Sequence, residues 1–150
     1  MFNIIRAAIG AGRALGIGEG RTEDEESEIV TKEVRSHGIE GADKVRVKVQ
    51  GKKVVVEGDG IDQDAKEKIL MAAGNIKGIG EVEDKIIAAK KAAAAGQFHQ
   101  VEPGDTLSKI AQKHYGKANA YPEIFEANKP MLSHPDKIYP GQILRVPPKK

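Results

Sequence analysis

The sequence predicts an α+β protein built from two small units, the first with the element order αββαβ and the second with the order βααβ. Within residues 22–88 the spacing of apolar residues changes from helical to strictly alternating and back to helical. Residues 89–97 are rich in alanine and carry no apolar stripe, which is typical of a linker. Aromatic and proline residues concentrate after this linker, so we expect a second unit over residues 98–148.

The first helix and the strand after it are indicated by local signals. Thr22 and Glu25 have the spacing of a capping box, and Gly38 is placed to end the helix in a left-handed turn. Valines alternate with basic residues over positions 45–49, as in a strand with one buried face. Residues 50–53 then have the composition of a hairpin turn.

The rest of the first unit follows the same reasoning. Residues 54–56 are expected to form the returning strand, which the glycine-rich residues 58–60 end. Asp62 can cap a second helix that stops at Gly74, and a short third strand is expected over residues 82–87. The result is an antiparallel hairpin with one additional strand, covered by two helices.

The second unit is predicted from helix caps and turns. Asp105 or Thr106 can cap a helix that Gly116 closes, and Pro122 suits the first turn of the next helix because its missing N–H is no loss there. Residues 139–141 then form a turn into a final strand.

The composition argues against several classes of function. The 24 Lys and Arg residues against 22 Asp and Glu leave a net charge of +2, far from the basic surface that binds nucleic acid. The absence of cysteine excludes disulfides, thiolate nucleophiles and cysteine-ligated zinc. The four histidines form no HExxH pair, and no serine lies in a nucleophile elbow. We therefore expect that the chain is not an enzyme.

The apolar N-terminal segment, residues 1–21, is not expected to be a secretion signal. Arg6 and Arg13 interrupt its apolar residues, and it lacks the charged n-region of such a signal. No stretch of the chain reaches the roughly 20 apolar residues that span a bilayer. We expect this segment to pack on the first unit as an amphipathic segment, and we expect a cytoplasmic, monomeric protein.

Each unit resembles a known bacterial module. VRVKVQGKKVVVEGDG and DQDAKEKILMAAGNIKGIGEVED, with the αββαβ order, resemble the BON domain over residues 22–88. That resemblance implies membrane or phospholipid association through basic residues such as Lys44, Arg46 and Lys48, although a solvated strand face explains them more simply. FHQVEPGDTLSKIAQKHYGKANAYPEIFEANK and IYPGQILRVP resemble the LysM domain over residues 98–147.

The LysM resemblance implies binding of N-acetylglucosamine-containing glycans such as peptidoglycan. The family binds through the loop after its first strand and the loop before its last strand. Here those positions are Gly104, Asp105, Thr106, Leu107, Asn128, Ile138, Tyr139 and Gly141. The same residues also serve as caps and turns, and a cytoplasmic location would keep the protein from peptidoglycan.

The whole chain resembles a family of small cytoplasmic bacterial BON–LysM proteins that bind potassium. MFNII, AKEKIL, GNIKGI, FEANKPML and KIYPGQILR carry this resemblance. It implies that the chain senses or buffers K⁺, or another large monovalent cation, and changes conformation on binding. A glycan-binding envelope protein and a membrane-associated stress protein are the alternatives, and an unidentified protein is a further possible LysM partner.

The glycine-rich residues 74–80 are the candidate ion site. They follow the second helix, whose last carbonyl groups lack intrahelical partners and carry the negative end of the helix dipole. Without the resemblance, an ordinary glycine-capped loop is the simpler explanation. With it, we expect backbone carbonyl groups to bind K⁺ at Ile5, Ala8, Gly74, Ile76 and Ile79.

Overall fold

A computed structural model describes residues 3–89 and 95–148 of the chain, and it confirms the α+β class. Residues 90–94 of the predicted linker and the first two residues of the MFNII sequence lie outside the described residues. The strands are β1 (Asn3–Arg6), β2 (Arg46–Gln50), β3 (Lys53–Ile61), β4 (Glu81–Ala88), β5 (Gln97–Gln100) and β6 (Ile143–Val146). The α-helices are α1 (Glu23–Ser36), α2 (Gln63–Gly74), α3 (Leu107–Tyr115) and α4 (Tyr121–Ala127).

The first unit contains a four-stranded sheet with the order β1-β4-β3-β2. β2 and β3 form the predicted antiparallel hairpin, and β4 pairs with β3 in parallel. β1 pairs antiparallel with the other edge of β4, with Asn3 opposite Asp84 and Arg6 opposite Glu81. The sequence predicted packing but no strand for this segment, because four residues give too short a pattern and the pairing depends on the free edge of β4.

Local capping signals place most helix ends correctly. The Oγ1 atom of Thr22 accepts from the backbone N–H of Glu25, whose carboxylate accepts from the Thr22 N–H in return, so the predicted capping box forms. Gly38 has a φ of 69° just after α1, as expected for a left-handed turn. Asp62 occupies the N-cap position of α2, but its side chain makes no capping hydrogen bond.

The end of β3 differs from the expectation. This strand continues to Ile61, beyond the glycines that were expected to stop it. Pairing with β4 extends the strand, and an irregularity between Asp59 and Ile61 accommodates Gly60 at a φ of 71°. Glycine marks this irregularity rather than the end of the strand.

The first core lies between the sheet and the two helices α1 and α2. Val47 and Val49 face inward as predicted, and Val30 and Val34 on α1 are completely buried against the sheet. Full burial of each such side chain stabilises the fold by about 1.5–3 kcal/mol.

The second unit has the βααβ order, with β5 and β6 paired antiparallel. Thr106 caps α3 by accepting from the N–H of Lys109 at 3.1 Å, and Gly116 ends it with a φ of 76°. Ile110, Ile124 and Leu144 form the centre of a separate core.

Helix α2 joins the two units because it contributes to both cores. Its Met71 side chain is fully buried among residues of the second unit, while Leu70 packs in the first core. Arg145 of β6 donates to Glu67 of α2 at 2.7 Å and to Asp64 at 2.9 Å. Only 3% of Arg145 and 2% of Glu67 are exposed, so this ion pair is buried between the units.

Candidate functional site

The N-terminal segment lies across the loop that follows α2. Backbone hydrogen bonds hold the two together over residues 7–13 and 75–80, in addition to the β1–β4 pairing. The bonds are Ala7 N–H to Gly80 O at 2.9 Å, Gly78 N–H to Ile9 O at 2.7 Å, Arg13 N–H to Asn75 O at 2.9 Å and Lys77 N–H to Arg13 O at 2.9 Å.

Two glycines permit this close contact. A Cβ atom on Gly12 would lie 2.5 Å from the carbonyl carbon of Asn75, and one on Gly78 would lie 2.6 Å from the carbonyl oxygen of Ile17. Both glycines also have a φ of 101°, which other residues rarely adopt. The segment can approach the loop this closely only because these positions have no side chain.

The predicted carbonyl positions fall on the two segments that meet here. Ile5 lies in β1 opposite Val82, and Ala8 is the second residue after that strand. Gly74 is the last residue of α2, and Ile76 and Ile79 are fully buried in the loop. The structure thus brings both groups of predicted residues to one end of the sheet.

Two of these carbonyl groups also take part in turns. Ala8 O accepts from Ala11 N–H at 3.0 Å, and Ile76 O accepts from Ile79 N–H at 3.1 Å. A carbonyl oxygen has two lone pairs, so it can accept a hydrogen bond and still contact a cation. These turns fix the direction of the oxygens.

Glu26 binds the C-terminal part of the N-terminal segment, at Gly18. Its buried carboxylate, in the first turn of α1, accepts a hydrogen bond from the backbone N–H of Gly18. Next to it is a cavity of about 540 Å³, which Gly18 and Gly78 also line. The carboxylate therefore holds the segment against the loop and adds negative charge beside it. This role could not be predicted from the sequence, because the acidic run at the start of α1 is typical of ordinary helix capping.

The predicted ion ligands at this end of the molecule are backbone carbonyl oxygens. Residues 3–89 and 95–148 contain no group of three or more His, Asp or Glu side chains that could hold a metal ion. A large monovalent cation is bound well by several neutral carbonyl oxygens that replace its hydration shell. The residues present at this end of the molecule fit a large monovalent cation.

Asn75 connects the loop to the second unit. Its side-chain amide donates to Ile143 O at 2.8 Å and accepts from Ile143 N–H at 2.6 Å. Close by, a Cβ atom on Gly141 would lie 2.7 Å from the Cβ of Ala11 and 3.0 Å from that of Ala8. This contact could not be predicted from the sequence, since an asparagine after a helix-ending glycine is typical of a simple cap.

The two loops of the predicted glycan site lie side by side. Gly141 N–H donates to Val101 O at 2.7 Å, which places residues 138–141 next to the loop that starts α3. Gly104 and Thr106 are exposed there, and Ile138 and Tyr139 are partly exposed. Leu107 and Asn128 are buried, so their side chains support the fold and are not available to a sugar.

Asp105 belongs to a small polar cluster beneath this loop. Its carboxylate accepts from Glu102 N–H and contacts His99 Nε2, both at 2.9 Å. The bond from Glu102 and the one from His99 lower the pKa of Asp105. His99 also contacts His114 at 3.4 Å, and burial together with His99 lowers the pKa of His114.

Comparison with known proteins finds relatives of the second unit and of most of the chain. The family model of the LysM domain matches residues 99–147. Over 124 residues the chain is 52% identical to a protein of Escherichia coli O6:H1 named potassium binding protein Kbp, and the match covers 83% of each chain. The chain belongs to the Kbp family. It is also 31% identical over 145 residues to an uncharacterized protein of Deinococcus radiodurans, covering 87% of this chain and 56% of that protein.

The LysM match runs from the second half of β5 to the residue after β6, so it includes α3, α4 and β6. It confirms the LysM prediction. No helix within the described parts of this Kbp-family chain is long and apolar enough to cross a membrane.

Proposed function

We propose that the chain binds K⁺ through backbone carbonyl groups where the N-terminal segment crosses the loop after α2. The observation that carries the proposal is the set of backbone bonds that holds residues 7–13 against residues 75–80. The name of the Kbp relative supports the same ligand. The proposed ligands are the oxygens of Ile5, Ala8, Gly74, Ile76 and Ile79.

The chemistry of this end of the molecule favours a large monovalent cation. The carbonyl groups at the C-terminus of α2 carry the negative end of the helix dipole. Buried apolar side chains surround the loop, among them Ile76 and Ile79, so an ion would exchange most of its water for protein oxygens. K⁺ loses its hydration shell more readily than a small, strongly hydrated cation, and neutral oxygens therefore suffice.

Binding would order the N-terminal segment, since ligand oxygens come from both sides of the contact. A ligand that binds one conformation better shifts the population toward it. We propose that the chain works in this way as a cytoplasmic sensor or buffer of K⁺. Fractionation of cells that express the untagged protein tests the location, and recovery outside the cytoplasm would contradict it.

Isothermal titration of the metal-free protein with KCl and with NaCl, at matched ionic strength, tests the binding itself. We expect a saturable response to K⁺ and none of comparable affinity to Na⁺. K⁺ should also raise the melting temperature, because a ligand that binds only the folded state stabilises it. Equal responses to the two salts would remove the proposal.

Glycan binding is the second candidate, and the LysM match favours it. Gly104, Thr106 and Tyr139 lie at the surface of two adjoining loops, where backbone groups and an aromatic ring can contact a sugar. Retention of the purified chain on chitin or peptidoglycan supports this role. Passage of the protein through both matrices excludes it.

A further inference from the structure

We infer that Asn75 is the positioning residue through which ion binding at the loop is transmitted to strand β6 of the LysM domain. This inference rests on the proposed K⁺ function. Asn75 lies between two of the proposed ligand residues, Gly74 and Ile76, and its side chain ends on the backbone of Ile143.

Asparagine side chains complete the outer edge of β6. One edge of this strand pairs with β5, and on its other side Ile143 and Arg145 receive side-chain bonds. Asn128 donates to Arg145 O at 2.9 Å and accepts from Arg145 N–H at 2.8 Å. Asn75 makes the same pair of bonds with Ile143, at 2.8 and 2.6 Å. Asn128 comes from the LysM domain itself, whereas Asn75 comes from the other unit.

The backbone of Asn75 is bound at the candidate ion site. Its carbonyl oxygen accepts from Arg13 N–H at 2.9 Å, so the residue contacts the N-terminal segment and β6 at once. An ion held by the carbonyl groups of Gly74 and Ile76 would fix the peptide plane that precedes Asn75 and the one that follows Ile76, so Asn75 would lie between two fixed peptide planes. The direction of its side-chain amide, and with it the position of Ile143, would then depend on the ion.

The buried ion pair between the units lies away from the loop. Glu67, which binds Arg145, precedes Asn75 by about two turns of α2. This ion pair belongs to the middle of α2, which packs in both cores, so we expect it to stay the same whether or not the loop is ordered. Gly74 lies against β6 at the loop end, where a Cβ atom would be 2.7 Å from Cδ1 of Ile143. The loop end is therefore the part of the interface that an ion can change.

The test is a titration of the full-length ¹⁵N-labelled chain with KCl and NaCl. Amide resonances are followed separately in residues 74–80, which are Gly74 and the loop after it, and in β6. In the unmodified protein both groups should shift selectively with K⁺. In Asn75→Ala the loop should still respond, with an affinity about fivefold lower, because coupling between two sites is reciprocal. The resonances of β6 should then move no more with K⁺ than with Na⁺.

Two control variants separate transmission from general loss of structure. Ser133→Ala changes an exposed side chain of the same cleft between the units, and it should behave as the unmodified protein. Asn128→Ala removes the matching bonds at Arg145 and should lower the stability of the LysM domain. It should leave the K⁺-dependent shift of Ile143 in place.

Each result has a definite meaning. K⁺-dependent shifts of β6 in Asn75→Ala that equal those of the unmodified protein would overturn the inference. Loss of the loop response at every KCl concentration would also overturn it, because Asn75 would then be part of the ion site. If the loop of the unmodified protein responds and β6 does not, only the coupling is wrong. If that loop ignores K⁺, the proposed function fails with it.

Discussion

At the scale of single residues, the contact between the N-terminal segment and loop 75–80 depends on Gly12. Its φ of 101° and its approach to Asn75 leave no room for a side chain. Gly10, two residues earlier, has open space where a Cβ atom would lie and a φ outside the left-handed region. The two positions form a matched pair of test and control.

Replacement of Gly12 by alanine should weaken K⁺ binding. A left-handed conformation costs an alanine about 1–2 kcal/mol, which corresponds to roughly tenfold in affinity, and the clash with Asn75 adds to it. Titration with KCl measures the effect, and Gly10→Ala should bind within about twofold of the unmodified chain. Equal affinities of the two variants would show that the segment does not contribute to the site.

His114 should make the LysM domain less stable in mild acid. Burial and the neighbouring His99 lower its folded-state pKa below the ordinary histidine value of 6.5. The unfolded chain therefore binds more protons below about pH 6.5, and the free energy of unfolding falls as the pH falls through that value. Asp105 acts in a lower pH range, because its lowered pKa gives stability that is lost only as the pH falls below the ordinary aspartate value of 3.8.

Thermal unfolding between pH 7.5 and 5 measures the contribution of His114. His114→Gln should show a smaller decrease of melting temperature over this range than the unmodified chain. His134 is the control, since 57% of its side chain is exposed, and His134→Gln should leave the pH profile unchanged. Identical profiles for His114→Gln and the unmodified chain would contradict the assignment.

Several residue roles could be predicted from the sequence, and others could not. The caps at Thr22 and Thr106 and the turn at Gly38 depend on neighbours within a few positions, so local patterns were sufficient. Asn75 and Arg145 have partners in the other unit, 68 and 78 positions away along the chain. No local pattern reveals such pairs.

At the scale of elements, α2 is the helix on which both units are built. Its ion pair with β6 is buried, and Glu67 also accepts from Gly96 N–H at 2.7 Å, just before β5. Removal of one partner from a buried pair leaves an uncompensated charge, which typically costs about 3–5 kcal/mol. Asp64 keeps a second contact with Arg145, so the lower end of that range applies here.

Glu67→Ala should therefore lower the free energy of unfolding by about 3 kcal/mol. Urea denaturation measures it, with Glu126→Ala as the control. Glu126 pairs with Lys129 on the surface, with 67% of its side chain exposed, and such pairs contribute about 0–1 kcal/mol. A loss from Glu67→Ala no larger than that of the control would contradict the role of this ion pair.

β1 is the strand that could not be predicted from the sequence. The alternation of β2 and the apolar stripes of α1 and α3 follow from burial on one side, which the sequence records directly. β1 has four residues, and Ile4 is more than half exposed, so its strand conformation comes from pairing with β4 rather than from its own pattern. Because β1 pairs with β4, the residues that follow β1 lie across loop 75–80.

At the scale of the whole molecule, three parts of the chain meet at one place. The N-terminal segment, the loop after α2 and the LysM turn at residues 138–141 are adjacent, through Arg13 with Asn75 and through Ala8 with Gly141. The sequence indicated each part separately, and the resemblance to potassium-binding proteins suggested that the first two belong together. Their contact with the LysM domain required the structure, because it depends on how α2 packs on β6.

The most direct test of the central claim is carbonyl ¹³C NMR of the labelled, metal-free protein during titration with KCl. A cation on a carbonyl oxygen changes the shift of that carbon. We expect saturable, K⁺-selective shifts at Gly74, Ile76 and Ile79, and at Ile5 and Ala8 on the N-terminal segment. Shifts confined to carboxylate side chains, or equal shifts with NaCl, would contradict a K⁺ site built from backbone carbonyl groups.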